Sequence, residues 1–231
     1  MEFQGCFVAI VTPFREGRVD EEALRKLIQF CLEKEVDGIV PCGTTGESPT
    51  LSFTEHKRVI EVTIEEAKGK VPVIAGTGSN NTSEAEELTK YAKEAGADAA
   101  LVITPYYNKP TPKGMEAHFN KIETIGLPVI IYNVPSRTGV NIPPATVAKL
   151  SKLKNIVGIK EASGNMDQVS SIISLSEPGF SVLSGDDSLT LPILSLGGSG
   201  VISVVANIIP CLLYTSPSPR DLSTSRMPSS A

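Results

Sequence analysis

Residues 129–160 read VIIYNVPSRTGVNIPPATVAKLSKLKNIVGIK. The apolar, β-branched run Val129–Tyr132 leads through a proline- and glycine-rich loop to a helix start at Pro143-Pro144, and a second apolar run, Ile156–Lys160, follows. The stretch is one strand–helix–strand unit. Units of the same form extend to both sides. Further strands are predicted at Val8–Val11, Gly38–Pro41, Val71–Ala75, Ala99–Thr104, Phe180–Leu183 and Gly200–Val204, which makes eight, with starts about 20–33 residues apart. Helix signals lie between them. Asp20 is a good N-cap ahead of Leu24, Leu27, Ile28 and Cys31 at helical spacing, and Ser52 with Glu55 and Ser83 with Glu86 read as capping boxes. The helix after Ser83 carries Leu88, Tyr91, Ala92 and Ala95 on one stripe and stops at Gly96. Val169, Ile172 and Ile173 form another stripe, whereas Leu189–Leu196 fits either a helix or a strand.

Eight nearly all-apolar strands alternating with helices require a parallel sheet covered by helices. A doubly wound open sheet usually carries a glycine-rich fingerprint after its first strand. This chain reads Thr12-Pro13-Phe14 there. The eight-fold count therefore predicts an α/β fold of the closed TIM (β/α)8 barrel type, with its chemistry beyond the C-terminal ends of the strands. Residues 1–210 are read as the catalytic barrel, incomplete at its C-terminal end. Residues 211–231, CLLYTSPSPRDLSTSRMPSSA, are rich in Ser and Pro and offer no helix for the eighth strand. They read as a disordered, non-native tail, with the final barrel helix and a C-terminal helical region missing. Losing that helix uncovers apolar wall worth several kcal/mol at about 25 cal/mol per Å2, against a typical total stability of about 5–15 kcal/mol. A chain of low stability is expected.

Composition narrows the function. Lys plus Arg total 21 and Asp plus Glu 26, so the net charge is 21 − 26 = −5, and no basic run is present for tracking phosphates. Nucleic acid is not an expected partner. No apolar run is long enough to span a bilayer, and the N-terminal residues carry neither a basic region nor a cleavage site. The four cysteines, Cys6, Cys31, Cys42 and Cys211, form no CxxC, and only His56 and His118 could join them, so zinc ligand sets are hard to build. A reduced, cytoplasmic, metal-free protein is expected.

Four strand ends are chemically unusual. The second runs into Gly43-Thr44-Thr45-Gly46-Glu47, where glycines flanking two hydroxyls let the backbone turn and present N–H groups to an anion; a plain tight turn fits equally. The fourth ends in Tyr106-Tyr107-Asn108, where paired tyrosines suit packing or an interface as readily as chemistry. The fifth places Ile130 and Tyr132 on one face, with Tyr132 able to point across a barrel mouth, and continues to Arg137, which suits a carboxylate clamp or an ordinary surface site. In the sixth, alternation sends Val157 and Ile159 one way and Gly158 and Lys160 the other, with Glu161 opposite Lys160. A lysine ending a buried strand either snorkels to the rim or is desolvated into an amine able to form a Schiff base.

Taken together, GTTGE, TPYYN, YNVPSRTG, GIKEASGN and LSGDD, in this order, resemble the dihydrodipicolinate synthase family, pyruvate-dependent class I aldolases of the N-acetylneuraminate lyase superfamily. The likeness runs from about Gly5 to Ile209 and leaves out the Ser/Pro tail. It implies that Lys160 forms an imine with pyruvate and that Gly43-Thr44-Thr45 holds the pyruvate carboxylate. It further implies a proton relay through Tyr132 and Thr44 to Tyr107, which in the family reaches a neighbouring subunit's site. Arg137 would orient that pair and the carboxylate of L-aspartate-4-semialdehyde, while Gly185 and Ile202 would line the pocket. The implied product is 4-hydroxy-tetrahydrodipicolinate, on the way to diaminopimelate and lysine, made without metal or organic cofactor by a homotetramer. Ser48, His56, Asn80, Glu84 and Tyr106 match an allosteric lysine site, although Phe53 stands where some lysine-sensitive members have histidine. Read alone, His56 and Glu84 fit an exposed helix face.

Within the superfamily, Thr45 and Arg137 favour the synthase over sialic acid lyases, which commonly carry Ser-Thr in the cradle and lack the arginine. Three rivals stand beside it: another pyruvate-dependent aldolase, acting on an N-acetylneuraminate-like or 2-keto-3-deoxy sugar acid; a metal or phosphate barrel using Asp186, Asp187 and Gly197-Gly198-Ser199-Gly200; and an inactive truncated fragment.

Overall fold

In the first strand, Gly5–Ala9, Phe7 and Ala9 turn to one face and Cys6 and Val8 to the other. Period-two alternation sorts the strands, with one exception described below, and creates two apolar layers. The computed structural model describes residues 3–210. Its eight barrel strands are β1 (Gly5–Ala9), β2 (Gly38–Val40), β3 (Ile74–Gly76), β4 (Ala99–Ile103), β5 (Val129–Asn133), β6 (Ile156–Glu161), β7 (Ser181–Ser184) and β8 (Gly200–Ser203). All pair in parallel in the order β2-β1-β8-β7-β6-β5-β4-β3, and a single bridge, Ile39 to Val73, joins the two ends of that order. The amide of Ile39 donates to Pro72 O and that of Gly76 to Pro41 O, which completes the ring.

The helices that follow in turn are α1 (Glu21–Glu33), α2 (Phe53–Ala67), α3 (Thr82–Ala95), α4 (Pro112–Glu123), α5 (Pro144–Leu150), α6 (Met166–Leu175) and α7 (Thr190–Ser195), with one extra helical turn at Pro135–Thr138. Asp20 caps α1 and the Ser52–Glu55 capping box opens α2, as their sequences indicate. Ser83 and Glu86 form no such box. Asn81 takes the cap of α3 instead, its side chain accepting from Ser83 N, while its own amide donates to Ser79 Oγ. Asn serves as well as Ser in this role, so the helix begins two residues earlier. The ambiguous segment at Leu189–Leu196 is helical over Thr190–Ser195. After β8 the described chain makes a short turn at Val205–Asn207. The reading of 211–231 as a tail lies outside the described residues.

Inside the ring, Phe3, Phe7, Ile74, Leu101, Ile130, Leu183 and Ile202 fill the barrel, with the Phe3 and Phe7 rings 6.0 Å apart. Outside it, Val8, Ile39, Val102, Ile131, Ile159 and Val182 meet the buried stripes of the helices, such as Leu24 and Ile28 of α1. One strand departs from simple alternation. The register between β5 and β6 jumps from Val129–Ile156 to Ile130–Gly158, so Val157 is an extra residue and packs against the inner cluster rather than joining Ile159 outside. This bulge resets the phase of β6. It leaves Lys160 inside, level with Tyr132.

Gly76 marks the closing seam. A Cβ there would lie 2.1 Å from the carbonyl oxygen of Cys42, which is backbone and has no easy way to yield. Gly76→Ala is expected to lower stability by about 1–3 kcal/mol or more, read as a fall in the urea midpoint at unchanged slope. An unchanged midpoint would show that β2 and β3 are not held this closely.

Candidate active site

Strand ends on one side of the barrel converge on a cavity of about 230 Å3. Thr44 and Gly43 come from the turn after β2, Gly76 and Gly78 from the end of β3, Tyr106 from the loop after β4, Tyr132 from β5 and Arg137 from the helical turn that follows it. The volume suits a ligand of few heavy atoms. The turn after β2 is fixed by Thr12 Oγ1 donating to Gly46 O and by Glu47 N donating to Thr44 O. Among the described residues, the Thr44 and Thr45 amides donate to no backbone carbonyl. Cys42 and Glu47, which flank the turn, both adopt left-handed backbone angles, φ 54° and 56°. Such conformations cost free energy in residues with a Cβ and concentrate where a loop is held for a purpose.

Lys160 and Tyr132 are paired across the β5–β6 register. Lys160 Nζ lies 4.4 Å from the centroid of the Tyr132 ring, and the side chain is only 5% exposed. Tyr132 lines the cavity, whereas Lys160 is not among its wall residues. Burial pulls the Lys160 ammonium down to about 8, and the positive charge of Arg137 acts the same way; Asp187 opposes both. Gly185 makes room for this lysine, since a Cβ there would lie 3.1 Å from its Cε. Burial raises the Tyr132 phenol, while a hydrogen bond with Thr44 and the charge of Arg137 pull it back. The phenol therefore stays protonated at neutral pH and can give a proton and take it back. The arrangement combines an amine whose pKa is lowered to about 8, a phenol–hydroxyl pair, a backbone turn with amides to spare and a guanidinium at the rim.

Other residues singled out by sequence are placed differently. Arg137 is exposed, on a turn opened by Pro135 and closed by Gly139 at φ 70°. Thr45 is half-buried beside Thr44 but outside the cavity wall, and Ile202 is sealed in the inner core. Tyr107 stands apart from the cavity, 88% exposed at φ 72°. Ser48 and Tyr106 line the same cavity as Thr44. Asn80 and Glu84 are half-buried, Asn80 O accepting from Asn108 Nδ2 and Glu84 accepting from Ser79 Oγ and Asn81 Nδ2. His56 is not on an exposed face: it is buried, with Nε2 2.7 Å from Gly76 O. That contact places it beneath the cavity floor; burial lowers its affinity for a proton, and the bond to Gly76 O works against that.

The aspartates of the rival metal reading are committed elsewhere. Asp187 Oδ2 accepts from the amides of Val204 and Val205, and Asp186 accepts from Ser188. Among the described residues, no group of three or more His, Cys, Asp or Glu side chains is arranged to hold a metal ion. The described cysteines, Cys6, Cys31 and Cys42, are buried and unpaired. Sequence reasoning missed Cys42, Gly76 and Gly78 in the cavity wall. The last two sit where two strands approach too closely for any side chain, which is the signal they carried.

Fold and site together define a (β/α)8 barrel with an amine buried at the mouth of its sixth strand. Residues 2–215 match the model of the Dihydrodipicolinate synthetase family, and the chain belongs to that family. It is 62% identical over 209 residues to the 4-hydroxy-tetrahydrodipicolinate synthase of Syntrophus aciditrophicus, a match covering 90% of this chain and 72% of that protein. Among solved structures, dihydrodipicolinate synthase from Aquifex aeolicus superposes with a TM-score of 0.90 at 54% identity, covering 91% of this chain and 73% of that one. The enzyme from Acinetobacter baumannii, solved in complex with pyruvate, gives 0.89 at 48% identity over 91% and 73%. That from Cyanidioschyzon merolae, solved with lysine bound, gives 0.87 at 44% identity over 90% and 72%. Among the described residues, no helix is long and apolar enough to cross a membrane.

The buried amine has a stability signature. Its pKa is about 8 in the folded chain against 10.5 when solvated, so below about 8 both states carry the proton and the folded one bears the full desolvation cost. As pH rises from about 8 to 10.5, the folded state loses its proton first and stability climbs. Lys160→Met is expected to raise stability near pH 7 by up to about 3 kcal/mol and to remove its contribution to that rise. Denaturant titrations from pH 6 to 10.5 check this, and a variant with the parent's pH slope would refute the assignment.

Proposed function

We propose that the chain is a lyase that condenses pyruvate with L-aspartate-4-semialdehyde to 4-hydroxy-tetrahydrodipicolinate, through a Schiff base on Lys160. The observation that carries this reading is the depressed, buried Lys160 amine set level with Tyr132 inside the barrel. An amine of pKa about 8 keeps an appreciable neutral fraction near pH 7, which an ordinary lysine does not. The pyruvate carboxylate is assigned to the Gly43–Thr45 turn, placing its carbonyl carbon for attack by Nζ. Addition gives a carbinolamine, and the Tyr132–Thr44 pair supplies the proton with which water leaves. Loss of a methyl proton then yields the enamine. The protonated imine is the electron sink, so the reading needs neither metal nor organic cofactor. The enamine carbon attacks the aldehyde, whose carboxylate is met at the rim by Arg137. The amino group finally closes on the imine carbon and frees Lys160. Catalysis rests on stabilising these charged intermediates more than free pyruvate.

The exposed Tyr107, held in a left-handed conformation, supports assembly in which it completes a neighbouring copy's site, and a homotetramer is the proposed state. Lysine is proposed as an effector, with its ammonium at Glu84 and its carboxylate near Asn80. Ser48 and Tyr106 would link that site to the cavity, with buried His56 supporting the floor. The unpaired cysteines fit a reducing, cytoplasmic setting.

Incubation with pyruvate and borohydride, followed by peptide mapping, is expected to place a reduced adduct on Lys160. Unmodified Lys160 in folded protein would end the aldolase reading. Arg137→Ala is expected to cut turnover with the semialdehyde by about tenfold or more while slowing adduct formation by no more than about threefold. Equal losses in both would remove Arg137 from its role. Activity is expected to survive EDTA.

A further inference from the structure

On the outer face of β5 and β6, directly behind the Tyr132–Lys160 pair, the next register pair is Asn133 and Glu161. Both are fully buried, at 0% and 1% exposure. The Glu161 carboxylate accepts from Asn133 Nδ2 at 3.0 and 3.2 Å, from Ser163 N at 2.7 Å and from Gln168 Nε2 at 3.3 Å. Every partner is a donor, which matches an ionised, acceptor-only carboxylate. Asn133 in turn donates to Asn141 Oδ1 at 2.8 Å and accepts from Ile142 N at 3.2 Å, and Asn141 and Gln168 exchange two hydrogen bonds. The network thus ties β5 to β6, both to α6, and the far end of the Arg137 loop back to β5.

We propose that Glu161 and Asn133 are positioning residues for the amine chemistry. They clamp the strand ends from behind, so that Tyr132 and Lys160 are held side by side in the barrel mouth and Nζ is kept out of water. The clamp lies on the opposite face and touches no substrate. Its effect is geometric, because strand alternation couples the two faces rigidly: a shift that breaks Asn133–Glu161 moves Tyr132–Lys160 with it. An isolated buried carboxylate is costly, and this one is retained with three donor groups making four hydrogen bonds to it. The role assigned rests on the reading of Lys160 as the imine-forming amine.

The test uses Glu161→Gln, which keeps the shape and turns one acceptor into a donor facing donors. Competitive acylation of Lys160 across pH, read by peptide mass spectrometry, reports its protonation without pyruvate. Asp187 and Arg137, the charged groups that act on Lys160, and Tyr132, whose ring faces it, are unchanged in the variant. The labelling midpoint is expected to move from about 8 toward 10.5 by about one unit, and pyruvate trapping at pH 7.5 to slow about tenfold. A midpoint and trapping rate equal to the parent's, in a folded variant, would overturn the proposal. If E161Q does not fold, Gln168→Leu, which removes the longest bond to Glu161 together with the two to Asn141, decides the matter: a rise of about half a unit supports the clamp and no rise overturns it. A parent chain that labels at the depressed midpoint yet forms no pyruvate adduct would refute the imine reading, while the variant's midpoint still settles the clamp.

Discussion

The desolvation of one ammonium group organises this end of the molecule. Lys160 ends a strand whose neighbours on the inner face are apolar, and its Nζ meets the face of Tyr132 rather than a carboxylate. Had Glu161 shared that face, an ion pair would hold the lysine charged and unreactive. Alternation prevents it by sending the carboxylate outward, where amides satisfy it. Among the described residues, the anion that acts on Lys160 is Asp187, whose Oδ2 is already engaged by two backbone amides. A buried amine of lowered pKa therefore stands next to an acidic residue in sequence without pairing with it, because a strand has two faces.

That separation depends on the bulge at Val157. Strict alternation from Ile156, which faces the helices, would put Gly158 and Lys160 on the helix side with it. The extra residue reverses the phase, so Gly158 fits tightly against Ser181 and Lys160 enters the barrel. Bulges of this kind commonly re-aim a side chain beside a site. The small cavity follows from the same economy of space: Gly76, Gly78 and Gly185 occur where a Cβ would strike backbone or the lysine stem.

Much of this was legible in the sequence, and for definable reasons. All eight strands were readable because buried parallel strands are nearly continuous apolar runs, while their ends were misjudged where apolar residues run past the ladder: Val11 is apolar yet exposed beyond β1, and Val71 and Val73 precede the short β3. Lys160 stood out because charge is anomalous at the end of such a run. The correct inward direction of Lys160 was reached with the wrong phase for Val157, since two-residue counting backward from the lysine cannot reveal an inserted residue. The cap of α3 was misplaced because Asn81 and Ser83 are equally suitable donors' partners, and only Ser79, reaching the Asn81 amide, decides between them. The Asn133–Glu161–Gln168 network was invisible as well, because its members look individually like ordinary polar residues and become a unit only through the register of β5 and β6.

The two halves of the barrel thus serve different ends. At the mouth, a buried ammonium and two left-handed non-glycine residues flanking the Gly43–Gly46 turn are each unfavourable, the latter by about 1–3 kcal/mol apiece. At the opposite end, Phe3 and Phe7 fill the bore with Ile130 and Ala99, and the buried Phe3 amide is satisfied by Ser181 Oγ. Full burial of each such aromatic contributes about 1.5–3 kcal/mol, the same order as the costs above. The strands transmit the one to the other: each runs from the packed floor to the strained rim, so continuous backbone from the floor and the Asn133–Glu161 contacts behind the site hold the rim's geometry together.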